Sequence, residues 1–200
     1  MPFRHRTYPA RLGLDDEWWR LPMPRFSDRV VLITGAGSGL GRAAAVEIAG
    51  EGGAIAVVDI DRPSAEETVG LITREGGNAV AIEADVSSST SVQAMVAAAV
   101  GHFGRIDVLV NNAGVVGELK PLHEVSEESW DFVQSVDMKG VFLCSKYVIP
   151  IMLEQGRGVI VNIASVSGFL ASMTGVEYTA AKHGVTGLTK QTAYDYGHQG

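Results

Sequence analysis

Five short runs of β-branched and other apolar residues, separated by longer Ala- and Glu-containing stretches, constrain this chain's fold more than any other feature. The runs are Val30-Val31-Leu32-Ile33, Ile55-Ala56-Val57-Val58, Ala79-Val80-Ala81-Ile82, Val108-Leu109-Val110 and Val159-Ile160-Val161. Each is apolar at every position, so neither face of the strand it forms can look at water. Between them the pattern predicts helices near 40–51, 63–75, 88–103, 126–154 and 176–197. Strands buried on both faces and alternating with helices make a parallel sheet covered on each side. The expected fold is α/β, a doubly wound parallel sheet. Ligands of such sheets bind beyond the carboxyl ends of the strands, so the residues just past each run are where chemistry is sought.

Composition narrows the function. Two hundred residues, 46% apolar and 20% charged, suit one core and are too few for two. A formal charge of −7 with scattered Lys and Arg argues against nucleic acid or an anionic membrane surface as partner. No apolar run approaches the roughly 18 residues of a membrane span, and residues 1–26 lack the apolar core of a secretory signal, so a cytoplasmic protein is expected. Cys144 is the only cysteine, which rules out an internal disulfide and a cysteine metal cluster. Within Val141-Phe142-Leu143-Cys144 it reads as a small buried hydrophobe. Residues 1–26 are rich in Arg and Pro, contain Trp18-Trp19 and keep no helical or strand period. They are expected to form a flexible extension ahead of a single domain over 27–200.

The first run leads into Thr34-Gly35-Ala36-Gly37-Ser38-Gly39-Leu40-Gly41 and then a helix. Glycines permit a tight turn there and let a pyrophosphate approach the backbone N–H groups at the helix N-terminus. Asp59 closes the second run 24 residues after Gly35, near the spacing at which a carboxylate reaches an adenosine ribose. Its charge repels a 2′-phosphate and accepts from a free 2′-hydroxyl, and neither Ser38 nor Ile60 supplies a cation beside it. NAD is therefore expected in preference to NADP, with Arg42 and Arg62 the cations that could alter that choice.

The second chemical signal is Tyr178-Thr179-Ala180-Ala181-Lys182. Residues four apart on a helix share a face, which sets a phenol beside an ammonium. The positive charge favours phenolate over phenol, so a side chain that ordinarily ionises near about pH 10 becomes a candidate general acid/base.

With the glycine spacing Gly35-x-x-x-Gly39-x-Gly41, the chain resembles the short-chain dehydrogenase/reductase family. Further motifs of that family occur in order: Asp85-Val86, Asn111-Asn112-Ala113-Gly114, Ser165, and then Tyr178 and Lys182, with Ser165 lying 13 residues before Tyr178. Segments Arg25–Val30 and Ala180–Gly184 are most similar to members acting on cyclic ketones and alcohols. The resemblance implies a strand order of 3-2-1-4-5 and an oxidoreductase that moves a hydride between NAD(H) and a secondary alcohol or ketone. By it Tyr178 exchanges the proton, Ser165 hydrogen-bonds the same oxygen, and Lys182 tunes Tyr178 and holds the nicotinamide ribose. Gly35, Ser38, Gly39 and Leu40 would form the dinucleotide turn, Asp59 and Ile60 would meet the adenosine ribose, Asp85 and Val86 the adenine, and Asn112 would lie along that ribose. No metal is implied, since hydride chemistry belongs to the nicotinamide. A dimer or tetramer of like chains and a small-molecule partner are implied as well.

Two departures stand out. Asp137 occupies the place, 28 residues before Ser165, where many members carry an asparagine whose backbone carbonyl serves a proton relay. The sequence also stops at Gly200, where the family continues into a sixth and a seventh strand, so the fifth strand is expected at an unprotected edge. These departures keep a catalytically incompetent nucleotide-binding fragment or sensor as the rival reading, with a 3-oxoacyl thioester reductase as the rival within the enzyme class. His183, one residue beyond Lys182 and about 100° around the helix, is expected to pack or face solvent. The acidic run from Glu124 to Glu128 reads as the entry to a helix.

Overall fold

The computed structural model describes residues 24–171 and 173–200. Most of the expected extension, Trp18 and Trp19 included, lies outside the described residues. Pro24, Arg25 and Phe26 are described, and they pack on the domain. The Phe26 N–H donates to the Glu51 carbonyl at 3.1 Å, its ring joins the core around Val31, and Arg25 forms an ion pair with Glu51.

The five apolar runs form one parallel sheet of β1 (Val30–Thr34), β2 (Ala54–Asp59), β3 (Asn78–Glu83), β4 (Val108–Asn111) and β5 (Val159–Asn162). Its order is β3-β2-β1-β4-β5, as the resemblance implied. Every residue of β1 is buried, because helices cover both faces. Side chains alternate between the two cores. Leu32, Val58 and Leu109 face α3 (Ser89–Phe103) and α5 (Gly140–Gln155), while Val31, Ile33 and Val57 face α1 (Gly39–Gly50) and α2 (Arg62–Arg74). Full burial of each such side chain contributes roughly 1.5–3 kcal/mol, which makes the β1 centre intolerant of truncation.

Local chemistry sets the helix ends. Asp61 caps α2 by accepting from the Ser64 N–H, and Ser88 caps α3 by accepting from the Ser91 N–H. Gly104 and Gly156, both left-handed, terminate α3 and α5. β5 is an edge strand among the described residues. Val159 and Val161 are exposed, whereas Ile160 packs inward.

The helix expected over 126–154 forms without a break in the chain, but its middle leaves α geometry. It divides into α4 (Glu127–Val133), a π-helical stretch Gln134–Lys139, and α5. A π turn takes in an extra residue and rotates the helix beyond it, and here it carries Asp137 to complete burial. Gly140 then passes so close to Val86 that a Cβ would lie 2.9 Å from Val86 Cγ2. At the end of the chain, α6 (Val176–Tyr196) gives way to a 3₁₀ turn at Gly197–Gln199.

Candidate active site

The carboxyl ends of β1 to β4 open on one cleft of about 480 Å³. Gly35, Ser38, Gly39, Leu40, Asp59, Ile60, Asp85, Val86 and Asn112 all line it, so nine positions spread over 78 residues converge. At the glycine turn, Gly35 (φ 62°) and Gly39 (φ 53°) hold the left-handed backbone that side chains resist. A Cβ on Gly37 would lie 2.7 Å from Asp59 Oδ2, and one on Gly41 would collide with the Gly35 carbonyl. α1 begins with no side-chain cap and no acidic residue in its first turn. Its free N–H groups and positive dipole end therefore face the cleft unopposed, which is what a pyrophosphate requires.

Asp59 is fixed by two backbone donors, Gly37 N–H to Oδ2 at 2.8 Å and Asp61 N–H to Oδ1 at 3.0 Å. Its charge stays at the cleft wall. Arg42, one of the two cations that could have favoured a 2′-phosphate, is committed to the Gly37 carbonyl, the Thr68 hydroxyl (3.0 Å) and Glu67 (3.0 Å). Arg62 pairs with Glu66 at 2.8 Å. Asn112 spends its amide on the turn, donating to the carbonyls of Thr34 (2.9 Å) and Gly35 (3.0 Å). Thr34 Oγ1 accepts from the N–H groups of Asn112 and Ala113, so β1 and β4 are latched where the turn begins. Asp85 Oδ1 accepts from the Ser87 N–H at 2.8 Å, closing the turn after β3.

Beyond Gly114 the cleft meets a buried cation. Lys182 is 3% exposed; its Nζ donates to the Ile163 carbonyl at 3.1 Å and lies 3.0 Å from Asp137 Oδ2, itself wholly buried. The same Nζ is 5.3 Å from the centre of the Tyr178 ring, one helical turn away on α6. Asp137 Oδ1 accepts from the Val115 N–H at 2.7 Å. Burial pushes the Asp137 carboxyl above its ordinary value, against the pull of Lys182 and that N–H. Ser165 lies just past β5 at the head of a 3₁₀ turn, where its Oγ accepts from the Ser167 N–H at 3.1 Å. Gly168 in that turn presses on α6, since a Cβ there would lie 2.9 Å from the Lys182 carbonyl. Ser165, Tyr178 and Lys182 thus sit on two elements in direct contact, with Asp137 brought in by the π turn.

Other candidates fall where the sequence put them. His183 is exposed, with Nδ1 2.9 Å from the Thr179 carbonyl. Glu127 and Glu128 occupy the first turn of α4. Burial pushes the Cys144 thiol up to about 12, leaving it inert. Glu177 is different: sequence reasoning passed over it, yet it is completely buried beside Tyr178. The glycines at 117 and 175, both pressed against its carboxylate, were the available signal.

Among known proteins, the chain is 44% identical over 181 residues to levodione reductase of Leifsonia aquatica, covering 90% of this chain and 68% of that one. It is 40% identical over 176 residues to cyclohexanol dehydrogenase of Acinetobacter sp. (strain SE19), covering 88% and 70%. A crystal structure of levodione reductase superposes with a TM-score of 0.85 over 88% of this chain and 69% of that one. NAD⁺-bound xylitol dehydrogenase, 33% identical, gives the same score over 88% and 67%. The chain spans about two thirds of the length of these relatives. No helix among the described residues is long and apolar enough to cross a membrane. Residues 29–200 match the model of the short chain dehydrogenases, and together with this kinship they make the chain a member of the short-chain dehydrogenase/reductase family of oxidoreductases.

Proposed function

We propose that the protein interconverts an apolar, alicyclic secondary alcohol and its ketone with NAD(H), Tyr178 exchanging the proton. The observation that carries this reading is the buried Lys182 ammonium, 5.3 Å from the Tyr178 ring, where the glycine-turn cleft ends. A bound nicotinamide would supply the hydride in reduction and accept it in oxidation. Tyr178 gives its proton to the carbonyl oxygen in reduction and takes it back in oxidation. Ser165 donates a hydrogen bond where negative charge develops on that oxygen, which favours the transition state over the ground state. Lys182 sets a positive charge beside Tyr178 and would hold the nicotinamide ribose. NAD is favoured over NADP by Asp59, fixed at the cleft wall with Arg42 turned to Glu67 and Thr68.

Apolar substrates are favoured by the loops around the site. Val116 and Leu119 after β4, and Val166, Phe169 and Leu170 after Ser165, are all exposed. The lysine of these loops, Lys120, pairs with Glu118 at 3.3 Å, which weakens the case for a phosphorylated or coenzyme A substrate. Kinship with levodione reductase and cyclohexanol dehydrogenase points the same way. We take the working protein to be a cytoplasmic homo-oligomer, dimer or tetramer. The test is Tyr178→Phe, assayed with cyclohexanol and NAD. Turnover should vanish while NADH affinity stays within about twofold, because the glycine turn is untouched; substantial residual turnover refutes the assignment.

A further inference from the structure

Glu177 is the largest unexplained investment near the site. Its side chain is 0% exposed, and among the described residues no Lys, Arg or His forms an ion pair with it. Burying a carboxylate is costly unless hydrogen bonds and a favourable field compensate. Two donors converge on Oε1: the Glu118 N–H at 2.7 Å and the Ser129 hydroxyl at 3.1 Å. The first turn of α6, otherwise without a side-chain cap, supplies the field. Among the described residues, Oε2 has no hydrogen-bond partner. The Glu177 carbonyl also accepts from Gln134 Nε2 at 2.7 Å. One residue therefore joins the loop after β4, the start of α4, the π turn that carries Asp137, and the helix of Tyr178.

Glycines at 117 and 175 make room for that junction. A Cβ on Gly117 would run into the Glu177 carboxylate, 2.6 Å from Cδ, although the Gly117 backbone itself needs no glycine. A Cβ on Gly175 would lie 2.8 Å from the Glu118 carbonyl and 3.0 Å from Glu177 Oε2. Here the loop bearing Val116 and Leu119 meets the segment leading from Phe169 and Leu170 into α6. The far side of the first loop is pinned too, since Glu118 Oε2 accepts from the Ser126 N–H at 3.1 Å. That hydrogen bond, with Lys120 beside it, holds the Glu118 carboxyl below its ordinary value.

We propose that Glu177 is a positioning residue that clamps the Gly114–Lys120 loop to the catalytic helix and thereby fixes the apolar mouth for the substrate. The clamp rests on geometry alone, and its substrate side rests on the proposed function. Glu177→Ala removes the closer of the two acceptors of the Glu118 N–H and leaves it only the Ser129 hydroxyl oxygen at 3.3 Å, so the mouth loosens while Tyr178 and the glycine turn remain. Glu177→Gln keeps an oxygen for the Glu118 N–H and the Ser129 hydroxyl.

Two readouts separate the clamp from the function. Amide hydrogen exchange at Glu118 in the unliganded protein should quicken at least about tenfold in Glu177→Ala and stay within about threefold of the unmodified rate in Glu177→Gln. Unchanged exchange in Glu177→Ala overturns the clamp, whatever the activity. With cyclohexanol and NAD, Glu177→Ala should raise KM for the alcohol about tenfold, change kcat less than threefold and leave NADH affinity alone, and Glu177→Gln should restore KM. Proportionate losses of kcat, KM and NADH affinity would overturn the specificity role and leave a merely structural residue. Absence of turnover in the unmodified protein would fail the proposed function, with exchange still deciding the clamp. Gly117→Ala supplies a further check: it should raise KM at least about fivefold in the natural background and less than twofold beside Glu177→Ala. Equal effects in both backgrounds would show that the two residues are not coupled.

Discussion

Asp137→Asn isolates one charge at the heart of the site. The carboxylate lies 3.0 Å from Lys182 Nζ, which lies 5.3 Å from the Tyr178 ring centre, so at about 8 Å or less and an effective dielectric near 20 its charge is worth about 2 kcal/mol. Partial exposure of Tyr178 to solvent reduces this, and roughly one pH unit is a fair expectation. The sign comes from charge: a carboxylate beside the ammonium opposes the phenolate, so neutralising it favours the phenolate. The alkaline-favoured limb of the oxidation profile should move about one unit toward lower pH. Asparagine keeps an oxygen for the Val115 N–H, now at 2.7 Å to Oδ1, so the loop stays in place. At its own optimum pH the variant should turn over within about tenfold of the natural protein, or about 1.4 kcal/mol of barrier. The assay is kcat/KM for cyclohexanol with saturating NAD between pH 6 and about 10.5. A limb that does not move, or moves to higher pH, would refute the electrostatic argument. A variant that turns a dead protein into a normal enzyme would instead favour the binding-only reading of the natural sequence.

Other substitutions test other parts of the structure. Asp59→Ala should narrow the gap between NADH and NADPH affinity, measured by fluorescence titration; equal affinities in the unmodified protein would defeat the cofactor preference. Asp107, buried at the start of β4, faces Arg29, Arg105 and Arg157 and accepts from the Val30 N–H at 3.0 Å. Burial pushes its carboxyl up, but hydrogen bonds from Arg105 and Val30 and the Arg105 charge outweigh that and hold it below its ordinary value. The stability it contributes is thus complete above the unfolded value near about 3.9 and is lost as pH falls through the lower folded value. Asp107→Asn should lower Tm by roughly 4–8 °C at pH 7, a deficit that shrinks only below about pH 4; a deficit independent of pH would contradict the sign. Cys144 should resist iodoacetamide in the native protein and react once it is unfolded, and rapid native labelling would mean that the α3–α5 core opens.

The parts of this molecule legible in the sequence are those governed by short-range rules. β1 and β2 are apolar at nearly every position because both faces are covered, so their runs stand out without reference to anything distant. The glycine turn is legible for a similar reason, since its left-handed residues and helix start are local needs. The π turn is not. Gln134–Lys139 contains neither Gly nor Pro and continues a helical pattern on both sides, and its extra residue is fixed by Asp137 reaching Val115 and Lys182 across the fold. Glu177 is easily passed over for the converse reason: a carboxylate in a first helical turn ordinarily faces solvent and opposes the dipole. Its burial is imposed by a loop 59 residues earlier in the chain.

Asp107 and Asp137 show how position at one or the other end of the sheet, more than burial, separates a structural charge from one proposed to act in the chemistry. Both are nearly inaccessible, and both accept a backbone N–H. Asp107 sits at the amino edge of the sheet, where arginine alone answers it, so no reachable pH removes its partners' charge and its role is to hold β1 to β4. Asp137 sits at the carboxyl edge, where it answers a single lysine that also overlooks a phenol and borders the nucleotide cleft. In the proposed reaction a proton moves at Tyr178, and the field of the Asp137 carboxylate, itself pushed above its ordinary value by burial, reaches that phenol past Lys182. A field of that kind contributes little to folding and much to a pH–rate profile. A parallel sheet places every such group at the same edge, and that is why substitutions at the two aspartates should divide cleanly, one read in melting temperature and the other in the pH dependence of turnover.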